Sequence, residues 1–222
     1  MLSWLGRFLS SSIGKKALMA LTGLMLVGFL LAHLAGNLTL YAGDEAFNGY
    51  AHKLESYGLL LNVAEVGLLA LFVVHVVLAL RVSRENAGAR PDGYRSRATF
   101  GKSTVASRSM LVTGLVVGLF VVIHVIDFRV PKLLGKPELD DLAVAVRRRL
   151  ASPLGAGIYL VGVVALGMHL SHGFRSALQT LGANHPRYDG LIRGVGLALA
   201  TLILLGFASF PVILFVTGGG SH

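Results

Sequence analysis

Residues 17–43 contain no Lys, Arg, Asp or Glu, an uncharged run of 27 residues. Three more such runs follow at 109–126, 150–174 and 194–222, and a fifth apolar stretch, 59–80, carries one carboxylate, Glu65. A helix crosses a bilayer with about 20 mostly apolar residues. The chain is therefore read as all-α, an integral membrane bundle of five transmembrane helices within a single domain, residues 1–222. The spans are expected near 17–41, 59–81, 108–128, 153–178 and 193–216. The first run is too long for a secretory leader and ends without a small-residue cleavage site, so it reads as a retained span. Composition agrees. Charged residues make up 14%, against about 25% in soluble domains, and mean hydropathy is +0.71. A soluble globule and a disordered chain are both excluded. With no Cys, disulfides, zinc–thiolate sites and Cys-ligated iron–sulfur clusters are excluded as well.

The net charge of +9, from 20 basic and 11 acidic residues, is not a nucleic-acid signature in so apolar a chain. Thirteen of the basic residues fall on one side, in the N-terminus and in the second and fourth loops, with only Glu85, Asp92 and Asp189 beside them. The other side has seven basic and seven acidic residues. Lys and Arg are retained in cytoplasmic loops, which puts the N-terminus in the cytoplasm and the C-terminus outside. Arg147, Arg148 and Arg149 are expected to form a solvated helix face ahead of the fourth span. Ser152 and Pro153 then read as an N-cap followed by Pro at the first helical position.

Ionisable residues within spans are costly and mark function. Each of the first four spans has one histidine about 16 residues in: His33, His75, His124 and His169. At about 1.5 Å per residue, each sits roughly 24 Å from the start of its helix. Successive helices run in opposite directions, so the depths alternate. His33 and His124 fall towards the outer surface, His75 and His169 towards the cytoplasm. Two imidazoles at each of two levels suit two low-spin electron-transfer haems, both axial positions being filled. Close approach to a flat ring needs small residues, and Gly155, Gly162 and Gly173 in the fourth span, with Gly23, Gly28, Gly114 and Gly118, are candidates. The same glycines serve helix packing equally well. His172, three residues after His169, is an alternative ligand or a propionate contact. His52, His185 and His222 are expected to be solvated.

Several segments together resemble the membrane cytochrome b subunit of succinate dehydrogenases and fumarate reductases, of the single-chain, five-helix, two-haem kind. They are Ala-His-Leu-Ala-Gly-Asn at 32–37, Glu-Ala-Phe-Asn-Gly-Tyr-Ala-His-Lys-Leu-Glu at 45–55 and Val-Val-His at 73–75. Val-Ile-His-Val-Ile-Asp-Phe-Arg follows at 122–129, and Met-His-Leu-Ser-His-Gly-Phe-Arg-Ser at 168–176. The resemblance implies an outer haem b on His33 and His124 and an inner one on His75 and His169. The ligand's place four residues before Gly173 selects His169 over His172. It implies a role in succinate:quinone oxidoreductase (respiratory complex II, of the tricarboxylic acid cycle and electron transport). Electrons would pass between an iron–sulfur subunit and membrane quinone, with menaquinone favoured. FAD and the iron–sulfur clusters would reside only in the partner flavoprotein and iron–sulfur subunits, at a bacterial-type cytoplasmic (inner) membrane.

Glu55 occupies a family position that is acidic at some quinol sites, and it is the candidate for quinone proton transfer. His52, Glu65, Arg108 and His172 are candidate propionate or quinone contacts, with Glu65 partly immersed. Some family members use a Glu two residues before the fourth-span ligand as a proton route; Gly167 stands there in this chain. Two other readings compete. One keeps the haems in a quinone-reactive subunit of a hydrogenase or formate dehydrogenase. The other is a membrane transporter that uses its histidines for protons or metal, against which the spans show no broken-helix inverted repeat.

Overall fold

The computed structural model describes residues 6–8, 10–88, 109–136, 140–183 and 185–220. These include seven α-helices, α1 (Ser12–Leu38), α2 (Asp44–Glu55), α3 (Leu59–Gly88), α4 (Met110–Leu133), α5 (Leu142–Ala151), α6 (Pro153–Thr180) and α7 (Pro186–Val216), and a 3-10 turn, Thr39–Ala42, after α1. No strand occurs among the described residues. Helices α1, α3, α4, α6 and α7 are long and apolar enough to cross a membrane. Several ends lie beyond the expected limits, most at α3, which continues to Gly88, and at α7, which begins at Pro186. Local chemistry sets the starts. Ser11 Oγ accepts from the Gly14 amide at 3.0 Å, and Ser152 Oγ from the Gly155 amide at 3.1 Å. Pro153 takes the first position of α6, where its missing N–H leaves no bond unmade.

One end of the bundle, the base, holds the start of α1. The other, the top, holds the short helices α2 and α5. Helix α6 is the central element, packed on α7, α4 and α1, while α3 rests mainly on α1 and barely meets α4. Half of the most apolar window of α6 is buried, against 6% in α3 and in α4. The larger core cluster lies under the top, where Leu40, Phe47, Ala143, Val146 and Leu150 close over Leu34, Tyr159, Phe210 and Leu214. A smaller one, Val27, Leu166, Leu170, Ala200 and Ile203, joins α1, α6 and α7.

The top is also stitched by polar groups. Asn48 of α2 donates from Nδ2 to Asp141 Oδ1 at 2.9 Å, and its Oδ1 accepts from the Ala143 amide at 3.0 Å. Asp141 caps α5 by accepting from the Val144 amide at 3.0 Å. That bond, followed by the one from Asn48, holds its carboxyl below the usual carboxylate range. The cap is complete above the ordinary aspartate range and is lost as pH falls through the lowered value.

Arg147 and Arg149 do not form the solvated face expected of them. Arg147 Nε donates to Asp44 Oδ1 at 2.8 Å and Nη1 to the Gly220 carbonyl at 3.1 Å. Arg149 Nε donates to Asp127 Oδ2 at 2.8 Å. Only Arg148 of the three is exposed, because α5 turns its other two guanidiniums onto acids that the linear sequence places far away. Replacing Asn48 by Ala removes its two bonds to Asp141 and Ala143, leaving the Arg147–Asp44 link, and should destabilise the top by about 1–2 kcal/mol. A lowered unfolding temperature of the detergent-solubilised protein, with faster amide exchange in α5, checks this.

Candidate functional site

The four span histidines meet in two pairs. His33 of α1 faces His124 of α4 with ring centroids 5.7 Å apart and planes at 81°. His75 of α3 faces His169 of α6 at 6.5 Å and 78°. The first pair lies towards the top and the second towards the base, on the levels that alternating helix direction requires. The ring facing His75 is that of His169, with His172 a turn further along α6.

The two levels have different surroundings. At the top, Phe29 stacks on His33 at 5.3 Å, and Phe207 lies 5.7 Å from it. Phe120, Phe128 and Tyr159 surround His124. The Tyr159 hydroxyl donates to Asp127 Oδ2 at 3.0 Å and lies 3.4 Å from His124 Nδ1. With Arg149 on the same Asp127 oxygen, a polar chain runs from His124 to the top surface. Asn37 Nδ2 lies 3.4 Å from both ring nitrogens of His33 and donates to the His33 carbonyl at 2.8 Å. At the base the neighbours are small or aliphatic. A Cβ on Gly23 would lie 3.1 Å from His75 Cε1, and one on Gly114 would lie 3.3 Å from His169 Cε1. These two glycines leave room for the imidazoles. Gly162 instead receives the Phe120 ring, whereas Gly28 and Gly118 meet nothing within 4 Å.

Other candidates from the sequence are placed as follows. Glu55 pairs with Lys132 of α4, and His52 Nδ1 is 3.7 Å from its other oxygen. Glu65 accepts from Arg129 Nε at 3.1 Å. The top end of α4 is thus tied to α2 by one ion pair and to α3 by another, so Glu65 is the partner of a guanidinium. His52 is exposed, and His185 caps α7 by accepting from the Arg187 amide at 3.2 Å. Arg108 and His222 lie outside the described residues.

Sequence reasoning missed Tyr159, Asp127, Thr22 and Thr113. A signal for the threonines exists. Met19-Ala-Leu-Thr22-Gly23 and Met110-Leu-Val-Thr113-Gly114 are the same pattern, and each threonine stands eleven positions before the top-level histidine of its helix.

An apolar five-span bundle with paired imidazoles at two levels defines the class of membrane cytochrome b. The comparisons with known proteins agree. The chain is similar to the succinate dehydrogenase cytochrome b558 subunit of Bacillus subtilis (strain 168), with 32% identity over 172 residues, covering 75% of this chain and 79% of that protein. No family model matches, and no solved structure matches. The chain belongs to the succinate dehydrogenase cytochrome b family, as a multi-pass membrane protein of electron transport.

The donor set fits the haem that a cytochrome b carries. No cluster of three or more His, Cys, Asp or Glu residues able to hold a bare metal ion exists among the described residues. A haem needs only two axial ligands, since its own ring supplies four nitrogens, and each level offers two imidazoles. Gly162→Ala should drive a methyl group into the Phe120 ring and push that ring towards His124. Overpacking of this kind costs about 1–3 kcal/mol. The expected result is a lower unfolding temperature with perturbation of the top level only, read in the visible spectrum.

Proposed function

We propose that the chain conducts electrons through two b haems, one held by His33 and His124 and the other by His75 and His169. The observation that carries this reading is the meeting of four span histidines as two facing pairs, each pair drawn from two different helices. A haem held by each pair would supply one-electron redox chemistry. The chain's own residues would hold it with two imidazoles at each level, and they provide an apolar surround that excludes water and a fixed separation between the levels. Two levels suit a bilayer whose hydrocarbon core is about 30 Å thick, which one haem spans poorly.

In this reading the base faces the cytoplasm, because the basic excess of the loops lies there. The ion pairing supports it. Four carboxylate–cation pairs with Arg or Lys lie at the top and two at the base among the described residues. The flavoprotein and iron–sulfur subunits dock on the base, next to the His75–His169 level. Quinone, with menaquinone favoured by the resemblance, exchanges electrons near the top level. Glu55 is the proton-handling group there. It sits at the junction of α2 and α3, half-buried and paired with the Lys132 ammonium.

The reduced-minus-oxidised spectrum tests the central reading and should show two b haems per chain. His33→Ala should lose one haem and keep the other, and His172→Ala should keep both. Loss of the base haem in His172→Ala with its retention in His169→Ala reverses the ligand choice. For the quinone site, Glu55→Gln should keep both haems and succinate oxidation with a soluble dye. Its quinone-linked turnover should fall by about tenfold or more. Full quinone activity in that variant moves the site elsewhere.

A further inference from the structure

Thr22 and Thr113 are the buried polar side chains among the described residues, 4% and 6% exposed. They occupy equivalent places in the repeated pattern of α1 and α4, and each faces a base-level histidine on another helix. Thr22 Oγ1 lies 3.2 Å from His75 Nδ1, and Thr113 Oγ1 lies 3.5 Å from His169 Nδ1.

The hydroxyl protons are accounted for. Thr22 Oγ1 donates to the backbone, with the Leu18 carbonyl at 2.9 Å and the Met19 carbonyl at 3.0 Å. Thr113 does the same towards the Ser109 and Met110 carbonyls at 3.0 and 3.2 Å. Each oxygen therefore turns a lone pair to the imidazole. The Met19 carbonyl lies 3.2 Å from the same His75 nitrogen. A carbonyl only accepts. His75 Nδ1, met by both the threonine and the carbonyl, and His169 Nδ1, met by the Thr113 lone pair, therefore carry the ring protons, and each Nε2 keeps its lone pair free to ligate.

We propose that Thr22 and Thr113 are positioning residues that lock the two base-level imidazoles in the Nδ1–H form and thereby set the potential of the haem held there. The inference rests on the ligand reading given above. An imidazole that donates its outer N–H to an acceptor becomes a more basic ligand and stabilises ferric iron. Removing the acceptor should raise the potential. The top level has no such symmetric pair, since Tyr159 and Asn37 flank its rings, so it is an internal control in the same molecule.

The test is redox titration and low-temperature electron paramagnetic resonance of the assembled complex carrying Thr22→Val, Thr113→Val or both. The base haem's midpoint potential should rise in each and furthest in the double variant. The shift should be larger for Thr22 than for Thr113, as the shorter contact requires, and the low-field signal should change with it. The top haem should titrate as in the parent, and Thr→Ser at either position should restore the parent values. An unshifted base haem in both Val variants overturns the proposal. So does a Ser variant that behaves like Val, because the methyl group rather than the hydroxyl is then what matters. If a Val variant loses the base haem altogether while its Ser counterpart keeps it, the hydroxyl role stands. His75→Ala and His169→Ala separate the two readings. Retention of the base haem in both defeats the ligation and the inference together, whereas its loss there beside silent Val variants defeats only the inference.

Discussion

An imidazole in an apolar bundle must find a partner for each nitrogen that has left water, and much of this architecture follows from that need. Four rings are carried into the spans, and a buried polar group without a partner costs about 1–3 kcal/mol. At the base the need is met by Thr22 and Thr113 together with the backbone they bend towards. At the top it is met by Tyr159, whose own hydroxyl is anchored on Asp127 and Arg149. No buried side-chain polar atom lacks a partner among the described residues. The same chain of partners thus fixes how α1, α3, α4 and α6 are rotated about their axes, because a turned helix would strand a nitrogen.

Charge divides the molecule along the perpendicular axis. Acids at the top are held by cations on neighbouring elements, and the pairs from Asp44 to Arg147, Glu55 to Lys132 and Asp127 to Arg149 join different helices or the ends between them. Each such pair contributes about 1 kcal/mol or less where it meets water. Their larger effect is geometric, since they hold α2 and α5 down over the core. Among the described residues the base holds two such pairs, and the basic excess of the sequence falls on that side, which suits a membrane orientation set by Lys and Arg.

Span number and histidine depth were legible because both depend only on position along a helix. Rise per residue and alternating direction put His33 level with His124 and His75 level with His169 before any contact was known. What stayed hidden depends on rotation about the helix or on pairing across the chain. Arg147 and Arg149 looked solvated because Asp44 and Asp127 are distant in sequence. Glu65 looked like a free immersed acid because Arg129 comes from another span. Of the two short helices, only α5 was foreshadowed, by its run of arginines, while α2 was read as loop, being too short and mixed for a membrane pattern. Thr22 and Thr113 were hidden in plain view, since a threonine in a span is ordinarily just bonded to its own helix.

The distribution of the histidines between the two halves of the chain bears on how the protein is made. Helices α1 and α3 bring one imidazole to each level, and α4 and α6 bring the other. Neither half holds two ligands at the same level. On the proposed ligation, a nascent chain emerging from the ribosome has no complete binding place until α4 enters the membrane, and that place is at the top. The base level waits for α6, the most deeply packed helix of all. On that ligation the two levels are completed in the order of translation, top before base, and a chain truncated ahead of α6 is left with a single completed level.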